Sequence, residues 1–151
     1  MSYDALIKEA LQLEIDTYEM PMTPRNKGLY ADKIIWINKD ISTVEKGCVL
    51  AEELGHYHTS SGNILNQKDI RNLKQELRAR GWAYEKLIPL SRLLEAGQAG
   101  IAGRHAIAEW LDVTEEFLHH SIEYYQRKYG LYATHNNFLI YFEPLSIFSL
   151  T

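Results

Sequence analysis

The segment from Ser42 to Glu45 most constrains the fold, because Ser-Thr-Val-Glu is a capping box. The serine hydroxyl can accept a hydrogen bond from the backbone N–H of Glu45, while the Glu45 side chain reaches back to the cap. We therefore expect a helix from near Thr43 through His56. On that helix Glu52 and His56 are four residues apart and share a face, and Glu53 lies at the edge of the same face.

This spacing is typical of a metal-dependent hydrolase. Such enzymes place two metal ligands at positions i and i+4 of a helix, with a carboxylate at i+1 that activates water. Here Glu52 occupies the position of the usual first histidine. Zinc accepts carboxylate oxygen at about the same distance as imidazole nitrogen, although a more anionic site makes Mn²⁺ or Fe²⁺ more competitive. The alternative interpretation is a surface helix whose two acids face water.

A third ligand is expected from a second long helix over residues 69–87, where Glu76 borders an apolar stripe. A carboxylate there is costly unless it is paired or bound to metal. The alternative for Glu76 is a salt bridge to Arg80 or Lys74. Two further candidate ligands, Asp69 and Glu85, are less favoured because they lie nearer the expected helix ends.

Two residues near the motif are interpreted as structural. His58 lies two positions after His56, so a continuing helix points it to roughly the opposite side. It could join the metal only if the helix ended first. Cys48, four residues before Glu52, could in principle be a soft metal ligand, but it is interpreted as a small core residue.

The remaining pattern predicts an α+β fold that is mainly helical. We expect a first helix over residues 3–16, a hairpin or two strands within 28–41, and a short helix over 91–96. A helix-turn-helix-like pair follows over 107–129 with Thr114 as N-cap, and then a strand over 138–142 and an apolar tail. We expect a core domain over residues 1–100 and a helical region with a C-terminal strand and tail, packed on the core, over 101–151.

Composition narrows the function classes. The net charge of −4 and the three basic against five acidic residues within 101–130 argue against direct nucleic-acid binding. One cysteine excludes an intrachain disulfide and fits a reducing compartment. The N-terminus does not resemble a signal peptide, and no run approaches ~18 apolar residues. We expect a cytoplasmic protein without a membrane span.

Three segments carry a family resemblance. Residues 48–56 resemble the metalloprotease helix of the ImmA/IrrE family, in its phage or mobile-element type. In residues 76–89, Glu76, Ala79, the pair Trp82-Ala83 and the stop Ile88-Pro89 are similar to the family's downstream signature. Residues 107–130 are similar to the helix-turn-helix-like region that follows the family's protease core.

The resemblance implies a minimal zincin-like fold and a gluzincin-like metallo-endopeptidase that uses Zn²⁺. Family members from phages and mobile elements cut a partner repressor, so a helix-turn-helix repressor is the expected substrate. The ligands would map to Glu52, His56 and Glu76, with Glu53 as the catalytic base. We expect the peptide to lie extended along the strand at residues 34–37, as an added edge strand. The alternatives are a non-catalytic repressor-binding (anti-repressor) protein and, less favoured, a DNA-binding regulator.

Overall fold

The structure, a computed structural model, describes residues 1–60 and 70–151. These residues form six helices and six strands, which confirms a mainly helical α+β fold. The helices are α1 (Tyr3–Gln12), α2 (Thr43–Thr59), α3 (Ile70–Leu87), α4 (Leu90–Gln98), α5 (Arg104–Leu111) and α6 (Glu115–Tyr129). The strands are β1 (Asp16–Met20), β2 (Gly28–Ala31), β3 (Ile34–Asn38), β4 (Tyr132–His135), β5 (Phe138–Phe142) and β6 (Leu145–Ser149).

The chain divides into two compact units, Met1–Ala83 and Tyr84–Thr151. The first unit holds every residue predicted for the site within the described chain, apart from Glu85. The expected domain boundary at residue 100 stays a prediction. Among residues 1–60 and 70–151, no helix combines the length and the apolarity that crossing a membrane requires.

The sheet of the first unit has the strand order β1-β3-β2. The expected hairpin is confirmed: β2 and β3 are antiparallel, and the turn residues Asp32 and Lys33 both adopt positive φ. Strand β1 was not predicted, because the first helix was expected to continue to residue 16. The helix instead ends at Gln12, and Glu14 takes a left-handed conformation (φ 61°) that redirects the chain into a parallel pairing with β3.

Helix α2 begins as its capping residue predicts. The Ser42 hydroxyl accepts from the Glu45 backbone N–H at 3.1 Å. Glu45 forms an ion pair with Lys27 at 2.9 Å, so the predicted reciprocal bond to the cap is replaced by a longer-range one. Leu50, Ala51 and Leu54 are fully buried, and this apolar face anchors the helix that carries the site.

The second unit contains the predicted helix pair and a second sheet. The Thr114 hydroxyl caps α6 by accepting from the Phe117 N–H at 3.0 Å, as expected. Strands β4 and β6 flank the predicted strand β5 in an antiparallel sheet. The apolar tail therefore forms β6, where Ile147 lies so close to Gly97 that a Cβ at Gly97 would be 2.2 Å from Ile147 Cγ1.

Candidate active site

The candidate site depends on a close approach between α2 and α3. A Cβ placed on Gly55 would lie 2.2 Å from the Ala79 carbonyl oxygen, closer than real Cβ contacts come. Only glycine permits this separation at position 55. The contact holds the next residue of α2, His56, beside the preceding turn of α3, which carries Glu76.

His56 and Glu76 form the central pair of the site. His56 Nε2 lies 3.0 Å from Glu76 Oε2, and the His56 side chain is only 5% exposed. The other carboxylate oxygen of Glu76 lies 3.5 Å from Arg80 Nε, so the alternative salt bridge to Arg80 is also present. The hydrogen bond from His56 and the nearby Arg80 charge lower the pKa of Glu76. Burial lowers the pKa of His56, but Glu76 and the neighbouring acids outweigh that effect and raise it overall.

Glu52 and Glu53 add two further carboxyl groups. Burial raises the pKa of Glu52, and the positive charge of Arg80 opposes that rise. Burial raises the pKa of Glu53 to about 7, against the opposing charge of His56. A carboxyl group with a pKa near neutrality can both take up and release a proton at physiological pH. The crowding of carboxyl groups also favours any cation that enters the site.

The fit to a divalent metal can be judged from the donors. Two ligands of a tetrahedral zinc ion lie about 3.3 Å apart, so the 3.0 Å separation of His56 Nε2 and Glu76 Oε2 suits a shared ion. The described residues, however, hold no group of three or more His, Cys, Asp or Glu side chains arranged to bind a metal. In this arrangement the Glu52 carboxylate therefore does not complete a three-ligand metal site with His56 and Glu76.

The second nitrogen of His56 bears on the same question. Metal-binding histidines usually donate a hydrogen bond from the nitrogen that does not face the ion. Nδ1 of His56 is buried and has no hydrogen-bond partner within residues 1–60 and 70–151. The imidazole is thus positioned by its contact with Glu76 and by the packing around it.

The other candidate residues lie apart from this pair. The His58 ring stacks on Trp82 with centroids 4.5 Å apart. Cys48 is buried, which confirms its interpretation as a core residue. Glu85 binds Lys128 at 3.1 Å in the second unit. Asp69 lies outside the described residues.

Strand β2 passes beside Glu53. This contact was not predicted from the sequence. A Cβ on Gly28 would lie 2.5 Å from Val49 Cγ1 and 3.3 Å from Glu53 Oε1. The expectation that a peptide lies along residues 34–37 is wrong, because β3 is the central strand and pairs on both sides. For the contact between β2 and Glu53, the one signal in the sequence was Gly28 at the start of a strand, because such a glycine often marks a close approach by another group.

Comparison with known proteins places the chain in a family. The model of the IrrE N-terminal-like domain, peptidase family M78, matches residues 10–123. The chain belongs to this family, and is therefore classed among the peptidases. No curated protein sequence matches it.

Proposed function

We propose that this protein is a metal-dependent endopeptidase that cleaves a helix-turn-helix transcriptional repressor of a phage or mobile element. The observation that carries the proposal is the His56–Glu76 pair beside Glu53, in a chain that belongs to a peptidase family. The repressor as substrate, and the cytoplasm as the compartment, follow from the family resemblance and from the single buried cysteine.

Three side chains are proposed to hold the ion: Glu52, His56 and Glu76. Glu52 precedes His56 by one helical turn and so lies on the same face of α2. The short distance between His56 and Glu76 supports the other two assignments. Zn²⁺ is the favoured ion, and Mn²⁺ or Fe²⁺ also suits a set of one imidazole and two carboxylates. Bound there, the ion would supply Lewis-acid activation of water and of the peptide carbonyl.

Glu53 is proposed as the general base and acid. Its carboxylate takes a proton from the attacking water and then delivers a proton to the leaving amine nitrogen. Burial of this carboxyl, which raises the pKa of Glu53 to about 7 in the metal-free chain, supports the role. The peptide is proposed to pair with the free edge of β2, because that strand passes next to Glu53 and, among the described residues, pairs with β3 alone.

The test is substitution Glu53→Gln, which keeps the size of the side chain and removes the proton acceptor. Cleavage of the repressor should fall by at least about a thousandfold, while the metal content of the purified protein stays unchanged. Glu45→Gln is the matched control, since Glu45 lies on the same helix in an ion pair with Lys27. Full cleavage by Glu53→Gln would remove Glu53 from the reaction.

A second candidate is a non-catalytic protein that captures the repressor without cutting it. Two observations favour it: the described residues contain no three-donor cluster, and glutamate stands where the first histidine is usual. Metal analysis separates the two functions. A protein without stoichiometric metal, which still binds repressor after substitution of Glu52, His56 or Glu76, would favour capture.

A further inference from the structure

The contacts between β2 and α2 continue beyond Glu53 in register. Gly28 faces Glu53, and Tyr30, two residues later on the strand, points to the same side of the sheet. Tyr57 lies one helical turn after Glu53 on the same face of α2. The two tyrosine rings meet edge to face, with centroids 6.5 Å apart and planes at 71°. The base and the ring pair therefore follow one another along the side of β2 that faces α2.

A peptide paired with the outer edge of β2 would present alternate side chains to this row. Residues along a strand rise about 3.3 Å each, so side chains on one face are about 7 Å apart. The peptide side chain level with Gly28 lies beside Glu53. The next peptide side chain on that face would lie level with Tyr30. Its residue would therefore be within two positions of the peptide bond that is cleaved beside Glu53. The intervening side chain points away, as exposed Leu29 does on β2.

We infer that the ring pair Tyr30–Tyr57 selects peptides that carry a large apolar or aromatic side chain at this position, an inference that rests on the proposed function. Both tyrosines are half-buried, so their rings are fixed in place yet retain accessible surface. Aromatic rings pair well with aromatic and β-branched side chains across a strand. The Tyr30 hydroxyl accepts from the Lys33 N–H at 3.4 Å, which holds that ring by its polar end.

The test uses a degenerate peptide library and the full chain loaded with Zn²⁺. Cleavage products read by mass spectrometry should show large apolar residues enriched at one fixed position near the cut bond. Tyr57→Gln removes the ring but keeps a residue that favours helix, and it should reduce this enrichment about tenfold. Tyr57→Phe should retain it. For single peptides, the loss should appear in KM, with kcat changed little.

Tyr18→Ala is the matched control, because Tyr18 is an exposed tyrosine on β1, the opposite edge strand of the same sheet. It should leave the preference unchanged. Cleavage without positional preference, or a preference that survives Tyr57→Gln, would overturn the inference and leave the proposed peptidase intact. If no peptide is cleaved, the selectivity of the ring pair is tested instead by which library peptides the immobilised protein retains. Apolar selection that depends on Tyr57 would support the subsite, whereas retention without selection would overturn it; the proposed function is tested separately, by cleavage of the repressor.

Discussion

Substitution Gly55→Ala tests whether the approach of α2 to α3 builds the site. The added Cβ would lie 2.2 Å from the Ala79 carbonyl oxygen and 2.9 Å from its carbon, whereas ordinary contact begins near 3.4 Å. The obstacle is backbone, so the helices must separate by about 1.2 Å. Overpacking of this kind costs about 1–3 kcal/mol, offset by about 1 kcal/mol from the better helix propensity of alanine. We expect a net loss of up to about 2 kcal/mol in the free energy of unfolding.

The same shift should act on the pair beside it. His56 follows Gly55 directly, and Glu76 lies one turn before Ala79. Separation by about 1.2 Å would lengthen the 3.0 Å contact beyond hydrogen-bonding distance. We expect the affinity for Zn²⁺, measured by competition with a chromophoric chelator, to fall on the order of tenfold.

Gly47→Ala is the control, since it is a glycine of the same helix whose added Cβ would meet nothing closer than 3.6 Å. Urea unfolding should show it as stable as the wild type or up to about 1 kcal/mol more stable. Equal unfolding free energies and equal zinc affinities for Gly55→Ala and Gly47→Ala would contradict the proposed role of Gly55.

Three further predictions concern the cap, a proton and the metal. Ser42→Ala should lower the free energy of unfolding by about 1 kcal/mol in urea titrations, because the Glu45 N–H loses its acceptor, and an unchanged midpoint would contradict the cap. In chelator-treated protein, the folded-state pKa of Glu53, raised from 4.5 to about 7, means that the folded state binds the proton more tightly. The Glu53 carboxyl should therefore contribute up to about 3 kcal/mol to the free energy of unfolding. This contribution should be complete below pH 4.5 and lost as pH rises through about 7. The difference between wild type and Glu53→Gln across that range measures it, and a flat difference would contradict burial of the carboxyl. Adding Zn²⁺ at a hundred times its Kd should stabilise the wild type by about 2.7 kcal/mol, with no such gain in His56→Ala.

Local sequence signals predicted the parts of the site that depend on one helix. The Ser42 cap and the four-residue spacing determine where α2 begins and which face Glu52 and His56 share, and neither needs knowledge of the rest of the chain. Glu76 was predicted from the cost of a carboxylate beside an apolar stripe, and the structure brings it to His56. The roles of these residues in metal binding and catalysis stay predictions.

The parts that escaped prediction depend on distant contacts. Strand β1 exists because it pairs in parallel with β3, and parallel pairing joins segments that no local pattern connects. The position of β3 at the centre of its sheet follows from that pairing, which also made its predicted role in peptide docking wrong. Gly28 and Gly55 are visible in the sequence only as glycines, since the groups that approach them come from other elements.

The most direct test of the account combines repressor cleavage with metal analysis in one series of purified proteins. The wild type should contain about one divalent ion per chain and cut the repressor at a defined bond. Glu53→Gln should retain the ion and lose cleavage, whereas His56→Ala and Glu76→Ala should lose both. Cleavage by the metal-free wild type, or undiminished cleavage by Glu53→Gln, would contradict the proposed metallopeptidase.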